Sequence, residues 1–159
     1  MDPRIERVHD FIVAHKINTK VQEMKYKGWY TPPQIADHLK CDLAQVAKTL
    51  VLRTFITDVP IYLIASSKHQ VDLDVVAESL KVRAIPASPD YIQDVSGFSI
   101  GATPPVALAT NGITLIDTTL QDHDKVYCSA GAPHCVFAIN PVELARVTGG
   151  LFITVNDGL

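Results

Sequence analysis

A chain of 159 residues with 47% apolar and 19% charged residues is sized for one globular domain, able to bury about 70% of the surface its unfolded form exposes. This composition excludes a disordered protein. No apolar run is long enough to span a bilayer, and the charged start MDPRIERVHDFIVAHK lacks the apolar core of a signal peptide, so a cytoplasmic location is expected and no membrane partner. The sparse cysteines, Cys41, Cys128 and Cys135, argue against a disulfide framework and are expected as free thiols. The net charge of -3 divides unevenly: residues 1–53 carry nine Lys/Arg against six Asp/Glu, the remainder five against eleven. The first third is therefore mildly suited to phosphates, without any basic block.

Ile5, Val8, Phe11 and Ile12 recur at helical spacing and predict an amphipathic helix over residues 4–16. INTKVQEM is polar with some alternation, a strand or a loop. Thr31 is placed to cap a helix whose first turn holds Pro32 and Pro33. A second start signal at Asp42 predicts a further helix through Leu43, Val46, Ala47 and Leu50 that runs into the strand-like TLVLRT. VPIYLIASS reads as a buried strand. DLDVVAESL reads as a helix with Asp72 or Asp74 near its start, and VRAIPASPD as an extended stretch broken by prolines. Asp90 opens a short helical turn. PVALAT and ITLIDT flank Asn111-Gly112, the pattern of a tight hairpin. KVYCSAG and HCVFAIN predict two strands joined by Gly-Ala-Pro. PVELARVTGG predicts a helix from Pro141 to Gly149, and LFITVND a last strand. The expected class is α+β: one domain over residues 1–159, with a mixed, mostly antiparallel, barrel-like sheet and surrounding helices.

Three constellations could carry chemistry. TPPQIADHLKCDLAQVAKTLVL has the outline of a helix-turn-helix. Its second helix would present Asp42, Gln45, Lys48 and Thr49, a set poor in arginine, and DNA is not expected as a partner. His123, Cys128, His134 and Cys135 are zinc-ligand types, but their spacing matches no ligand pattern. His134 and Cys135, adjacent on a strand, would point to opposite faces. No metal and no cofactor are expected. The third combines Lys48, set in the apolar run QVAKTLVLRT, with the Gly/Pro segment GFSIGATPP. Glycine allows close backbone approach and proline stiffens a turn. The segment is suited to presenting backbone N–H groups of Gly101, Ala102 and Thr103 to a carbonyl oxygen as negative charge develops on it.

These residues resemble the YbaK/prolyl-tRNA-synthetase-associated editing domain family. The resemblance is carried by VAKTLVL after IADHL, by IASSKHQVDLDVVAESL, by the Gly-x-x-x-Pro loop in GFSIGATPP, and by YCSAGAPHCVFAINPVELARVTGG. It runs from about Thr31 to Gly150. The family loop often reads Gly-Gly-x-Ser-Pro-x-Gly, whereas Ala102, Pro104 and Ala107 stand here at three of its positions.

The resemblance implies a free-standing, metal-independent aminoacyl-tRNA deacylase that hydrolyses the ester of a small amino acid mischarged on tRNA. Mischarged tRNA is the implied substrate, and an aminoacyl-tRNA synthetase an implied further partner. It assigns Lys48 and Gly101 to catalysis: loop amides around Gly101 bind the ester carbonyl, and Lys48 binds or orients the tRNA 3′ end. Thr49, Ala102, Thr103, Pro105, Ser129 and His134 are the implied substrate-binding residues. Two readings compete with it, a non-catalytic module binding tRNA or a synthetase, and a helix-turn-helix regulator.

Overall fold

The computed structural model describes residues 2–54, 57 and 59–156. Helix α1 (Pro3–Ala14) starts at Asp2, whose carboxylate accepts the Arg4 N–H, and buries Ile5, Val8 and Ile12. After the two-residue strand β1 (Gln22–Glu23) comes α2 (Pro32–Leu39). Thr31 and Gln34 cap α2 reciprocally, and Lys40 in the left-handed conformation ends it. Strands β2 (Ala47–Thr54) and β3 (Ile61–Ser66) lead to α3 (Leu73–Leu80), which Asp72 caps. Strand β4 (Ala84–Pro86) and helix α4 (Pro89–Ser96) precede the Gly/Pro segment. Then follow β5 (Ile113–Asp117), β6 (Val126–Ser129), β7 (Cys135–Ile139), α5 (Pro141–Thr148) and β8 (Leu151–Ile153). Among the described residues no helix is long and apolar enough to cross a membrane, and the three cysteines are free.

Two sheets form, a three-stranded one in the order β1-β7-β6 and a five-stranded one in the order β4-β2-β3-β5-β8. The first is antiparallel throughout. In the second, β4-β2-β3 is antiparallel and β3-β5-β8 is parallel. A parallel bridge between Val46 and Tyr127 joins the two sheets at one corner. The α+β class and the predominance of antiparallel pairs are as the sequence predicts. All six residues of β3 are buried, as expected for a strand covered on both faces.

Two expectations fail. The helix predicted from Asp42 to Leu50 is a single 3-10 turn, Leu43–Gln45, after which the chain turns extended at Val46. The start signal is real, since the Asp42 N–H donates to Gln45 Oε1 at 3.1 Å, but it caps one turn. Residues 47–52 then pair along β3, and β-branched Thr49 and Val51 favour that ladder over a helix. With no second helix the helix-turn-helix reading falls.

The Asn111-Gly112 hairpin is also absent. Residues 105–110 form no strand, and β5 runs parallel to β3. Gly112 serves a close approach instead: a Cβ there would lie 2.3 Å from the Pro60 carbonyl oxygen. Two smaller corrections concern ends. Ser88, not Asp90, caps α4. The last strand stops at Ile153, and the predicted extension to Asp157 leaves the described residues.

Candidate active site

A cleft of about 590 Å³, lined by both Val46 and Tyr127, opens beside the bridge between the two sheets. Lys48, Thr49, Ser67, Gly101, Thr103 and Ser129 supply its polar wall, and Trp29, Ile35 and Val71 are among its apolar residues. Of the sequence-predicted residues, Lys48, Thr49, Gly101, Thr103 and Ser129 therefore share one cavity. Ala102 is buried behind the loop. Pro105 lines a separate hollow with Phe11 and Tyr62. His134 lines a neighbouring hollow that shares Trp29 and Pro133 with the cleft.

Strand β2 places two successive residues on this wall by different means. In the antiparallel ladder Val46 accepts the Ser67 N–H at 2.8 Å, and Val51 accepts the Ala87 N–H at 3.3 Å on the opposite edge. Alternation then directs the peptide groups of Lys48 and Leu50 toward β3, and those of Thr49 and Val51 away from it. Strand β4 pairs only with Leu52 to Thr54. The N–H and C=O of Thr49 thus face outward with no strand opposite among the described residues. The Lys48 side chain is half-buried, second in β2, and its ammonium forms no hydrogen bond or ion pair among the described residues.

The Gly/Pro segment is held from below by α1. The Arg7 guanidinium lies 4.6 Å from the Phe98 ring centroid and donates to the Ala107 carbonyl at 2.7 Å. Ser99 O accepts both the Ala102 N–H and the Thr103 hydroxyl, each at 3.0 Å. Ala102 therefore spends its donor inside the turn, contrary to the expectation that three successive amides are on offer. The N–H groups of Gly101 and Thr103 have no partner among the described residues. Thr103 is buried, where an unpaired donor is costly and unusual. Gly101 has φ +81, and a Cβ added to it would approach the Trp29 ring at 3.1 Å. Ala107, standing where the family loop often has glycine, is also left-handed, at φ +62.

Four residues escaped the sequence reading. Ser67 Oγ is buried without a partner on the cleft wall; nothing in the sequence marks it, because burial of one serine in SerSer is a tertiary fact. Trp29 stands out in the sequence only as the one tryptophan, next to Gly28 in a loop with two lysines. Asp117 is fully buried and accepts the Ser66 N–H at 3.0 Å, the Thr119 N–H at 2.9 Å and the Thr119 hydroxyl at 2.8 Å. Glu23 stands opposite Cys135 in the β1–β7 register, and its carboxylate, the His134 imidazole and the Cys135 thiol each place an atom within 4.8 Å of the others. The predicted divergence of His134 and Cys135 fails because His134 precedes β7, in a turn outside the strand alternation. Burial, then the Glu23 charge, pushes the Cys135 thiol up to about 11.

The aminoacyl-tRNA editing domain family matches residues 2–147. The chain belongs to that family. Its members are editing deacylases of aminoacyl-tRNA. Solved structures agree on the fold. A protein described as a candidate trans-editing enzyme for prolyl tRNA synthetase is 24% identical, with a TM-score of 0.92 over 99% of both chains. A protein from a study of epitope grafting onto scaffolds is 22% identical, with a TM-score of 0.91 over 100% of both chains. A hypothetical protein is 21% identical, with a TM-score of 0.87 over 94% of this chain and 98% of its own. Comparison with curated proteins gives no match. In this editing domain the cleft is the candidate active site.

Proposed function

We propose that the protein is a trans-acting deacylase that hydrolyses the ester linking a small amino acid to the wrong tRNA. The observation that carries this reading is the concentration of unspent polar groups on one cleft: the Lys48 ammonium, the N–H groups of Gly101 and Thr103, the Thr49 peptide edge and the Ser67 hydroxyl. Membership of the editing domain family supports it, as does the likeness to a protein described as a candidate trans-editing enzyme.

In this reading the ester carbonyl oxygen accepts from Gly101 and Thr103, whose N–H groups stabilise the oxyanion that forms when water attacks. The acyl C–O bond breaks, the amino acid leaves with the water oxygen, and the ribose oxygen regains a proton. Lys48 binds the acceptor-end phosphate or ribose and orients the ester. Thr49 acts through its outward peptide group, and Ser129 forms part of the pocket wall. Ala102 and Pro105 act from outside the cleft by fixing the loop, and His134 acts from the adjoining hollow. An aminoacyl ester is labile enough that positioning and charge stabilisation suffice without a metal.

The test is a deacylation screen over mischarged tRNAs, run with and without EDTA, wild type beside Lys48→Ala. Release of one small amino acid, unaffected by EDTA and lost in the variant, is expected. Tight binding of charged tRNA with no release by wild type would instead favour a non-catalytic binding module.

A further inference from the structure

Residues 24–31, MKYKGWYT, connect β1 to α2 and carry an aromatic ring in an unusual setting. The loop is anchored at both ends. Met24 is buried beside Tyr127 and Val136, and its N–H donates to the His134 carbonyl at 2.7 Å. Tyr30 packs against the same cluster with Ile35 and Leu39, and its hydroxyl accepts the Tyr26 N–H at 2.9 Å. Between these anchors Gly28 takes φ +149, and Trp29 stands 68% exposed. A tryptophan is highly buried on average, so a ring held this far open by a closed loop calls for an occupant.

The position of the ring says which occupant. Trp29 covers Gly101 so closely that a Cβ there would meet Cζ3 at 3.1 Å. It also lines both the cleft and the adjoining hollow. An ester held at Gly101 therefore lies beside this ring. Lys25 and Lys27 precede it on the exposed loop, the Lys25 ammonium lying 5.3 Å from the Tyr26 ring centroid, and Ile100, also exposed, is among the cleft residues. In the hollow Arg4 and Asp2 pair with each other at 2.6 Å, which leaves Lys27 and Glu23. An exposed flat ring on a loop that also carries two lysines, one of them sharing its hollow, is the chemistry of single-stranded nucleic acid binding: the ring takes a base face and the cations take the backbone.

We infer that Trp29 is the stacking platform for the terminal base of the acceptor strand, with Lys25 and Lys27 on the phosphates that precede it. This rests on the deacylase reading for the identity of the strand. It adds the site that holds the nucleoside while the acyl group enters the cleft.

Trp29 is the one tryptophan of the chain, so its fluorescence reports the contact directly. The probes are the RNA trinucleotide CCA and the same trinucleotide with an abasic third position. Saturable quenching by CCA, with at least tenfold weaker binding of the abasic probe, is expected. In deacylation assays Trp29→Ala should raise KM by about 5- to 150-fold, the range for one base–aromatic stack, with kcat within about threefold of wild type. Trp29→Phe should recover most of the loss. Equal quenching by both probes, no quenching, or a wild-type KM in Trp29→Ala would overturn the proposal. So would unchanged trinucleotide affinity in Trp29→Phe and Trp29→Ala accompanied by lost affinity for a synthetase, which assigns the ring to a protein partner. The fluorescence arm is independent of turnover, so a failed platform and an inactive protein give different results.

Discussion

Two neighbouring parts of the five-stranded sheet treat polar groups in opposite ways. At the end of β5 the buried Asp117 carboxylate accepts three hydrogen bonds, and Ser66 Oγ donates to the Ala44 carbonyl at 2.9 Å. One residue further, Ser67 Oγ is buried without a partner, and on the neighbouring strand the Lys48 ammonium has none among the described residues either. Satisfied groups hold the strands together. In the proposed reading a substrate completes the unsatisfied groups on the cleft wall, because a buried polar group left unpaired costs more than a made hydrogen bond returns. Polarity alone does not separate the two serines; partner count does.

The largest effect expected from this contrast is on turnover. Lys48→Ala should cut kcat/KM on the mischarged tRNA by about 100-fold or more, the scale of one lost transition-state contact. Its unfolding free energy in urea should stay within about 0.5 kcal/mol of wild type, because no internal partner of the side chain is lost. A strongly destabilised Lys48→Ala would break the contrast by revealing a structural partner.

Asp117→Ala is the converse. It strips three donors of their acceptor and leaves the Ser66 N–H buried and unpaired, so a loss of about 3 kcal/mol is expected in chemical denaturation. Turnover per folded molecule should change little. Near-native stability in this variant would show that water replaces the carboxylate.

Ser67→Ala should behave oppositely to a usual polar deletion. Removing an orphaned hydroxyl is expected to leave stability unchanged or raise it by up to about 1 kcal/mol, while KM for the charged tRNA rises. A stability loss of that size would mean that Ser67 Oγ has a partner in solution. The smallest effect concerns the loop that carries Gly101. Ala107 sits at φ +62, a conformation costly for a residue with a Cβ. Ala107→Gly should gain about 0.5 kcal/mol in thermal unfolding after the added entropy of glycine is offset.

Much of the secondary structure followed from local chemistry. Thr31 with Pro32 and Pro33, Asp72, Pro141 and Gly149 each mark a real helix end, because capping and fixed proline φ are settled within a few residues. Signals of the same kind misled where a partner elsewhere decided the outcome. Asp42 caps a genuine turn, but β3 captures the residues after it. Gly112 has its glycine for Pro60, not for a hairpin.

The candidate site divides in the same way. Residues within two short motifs, Lys48 and Thr49, Gly101 and Thr103, were marked by type and order, and they share the cleft with Ser129. Sequence by itself determined the α+β class, the capped helices, the buried β3 and the residues of those motifs, since propensity, capping and apolar periodicity are local. Tertiary structure alone decided that β5 joins β3 in parallel, that Thr49 turns its peptide group outward, that Ala102 spends its amide while Gly101 and Thr103 do not, and that Trp29 stands over Gly101. Each of these depends on which groups far apart in the chain find partners, and a one-dimensional pattern does not carry that.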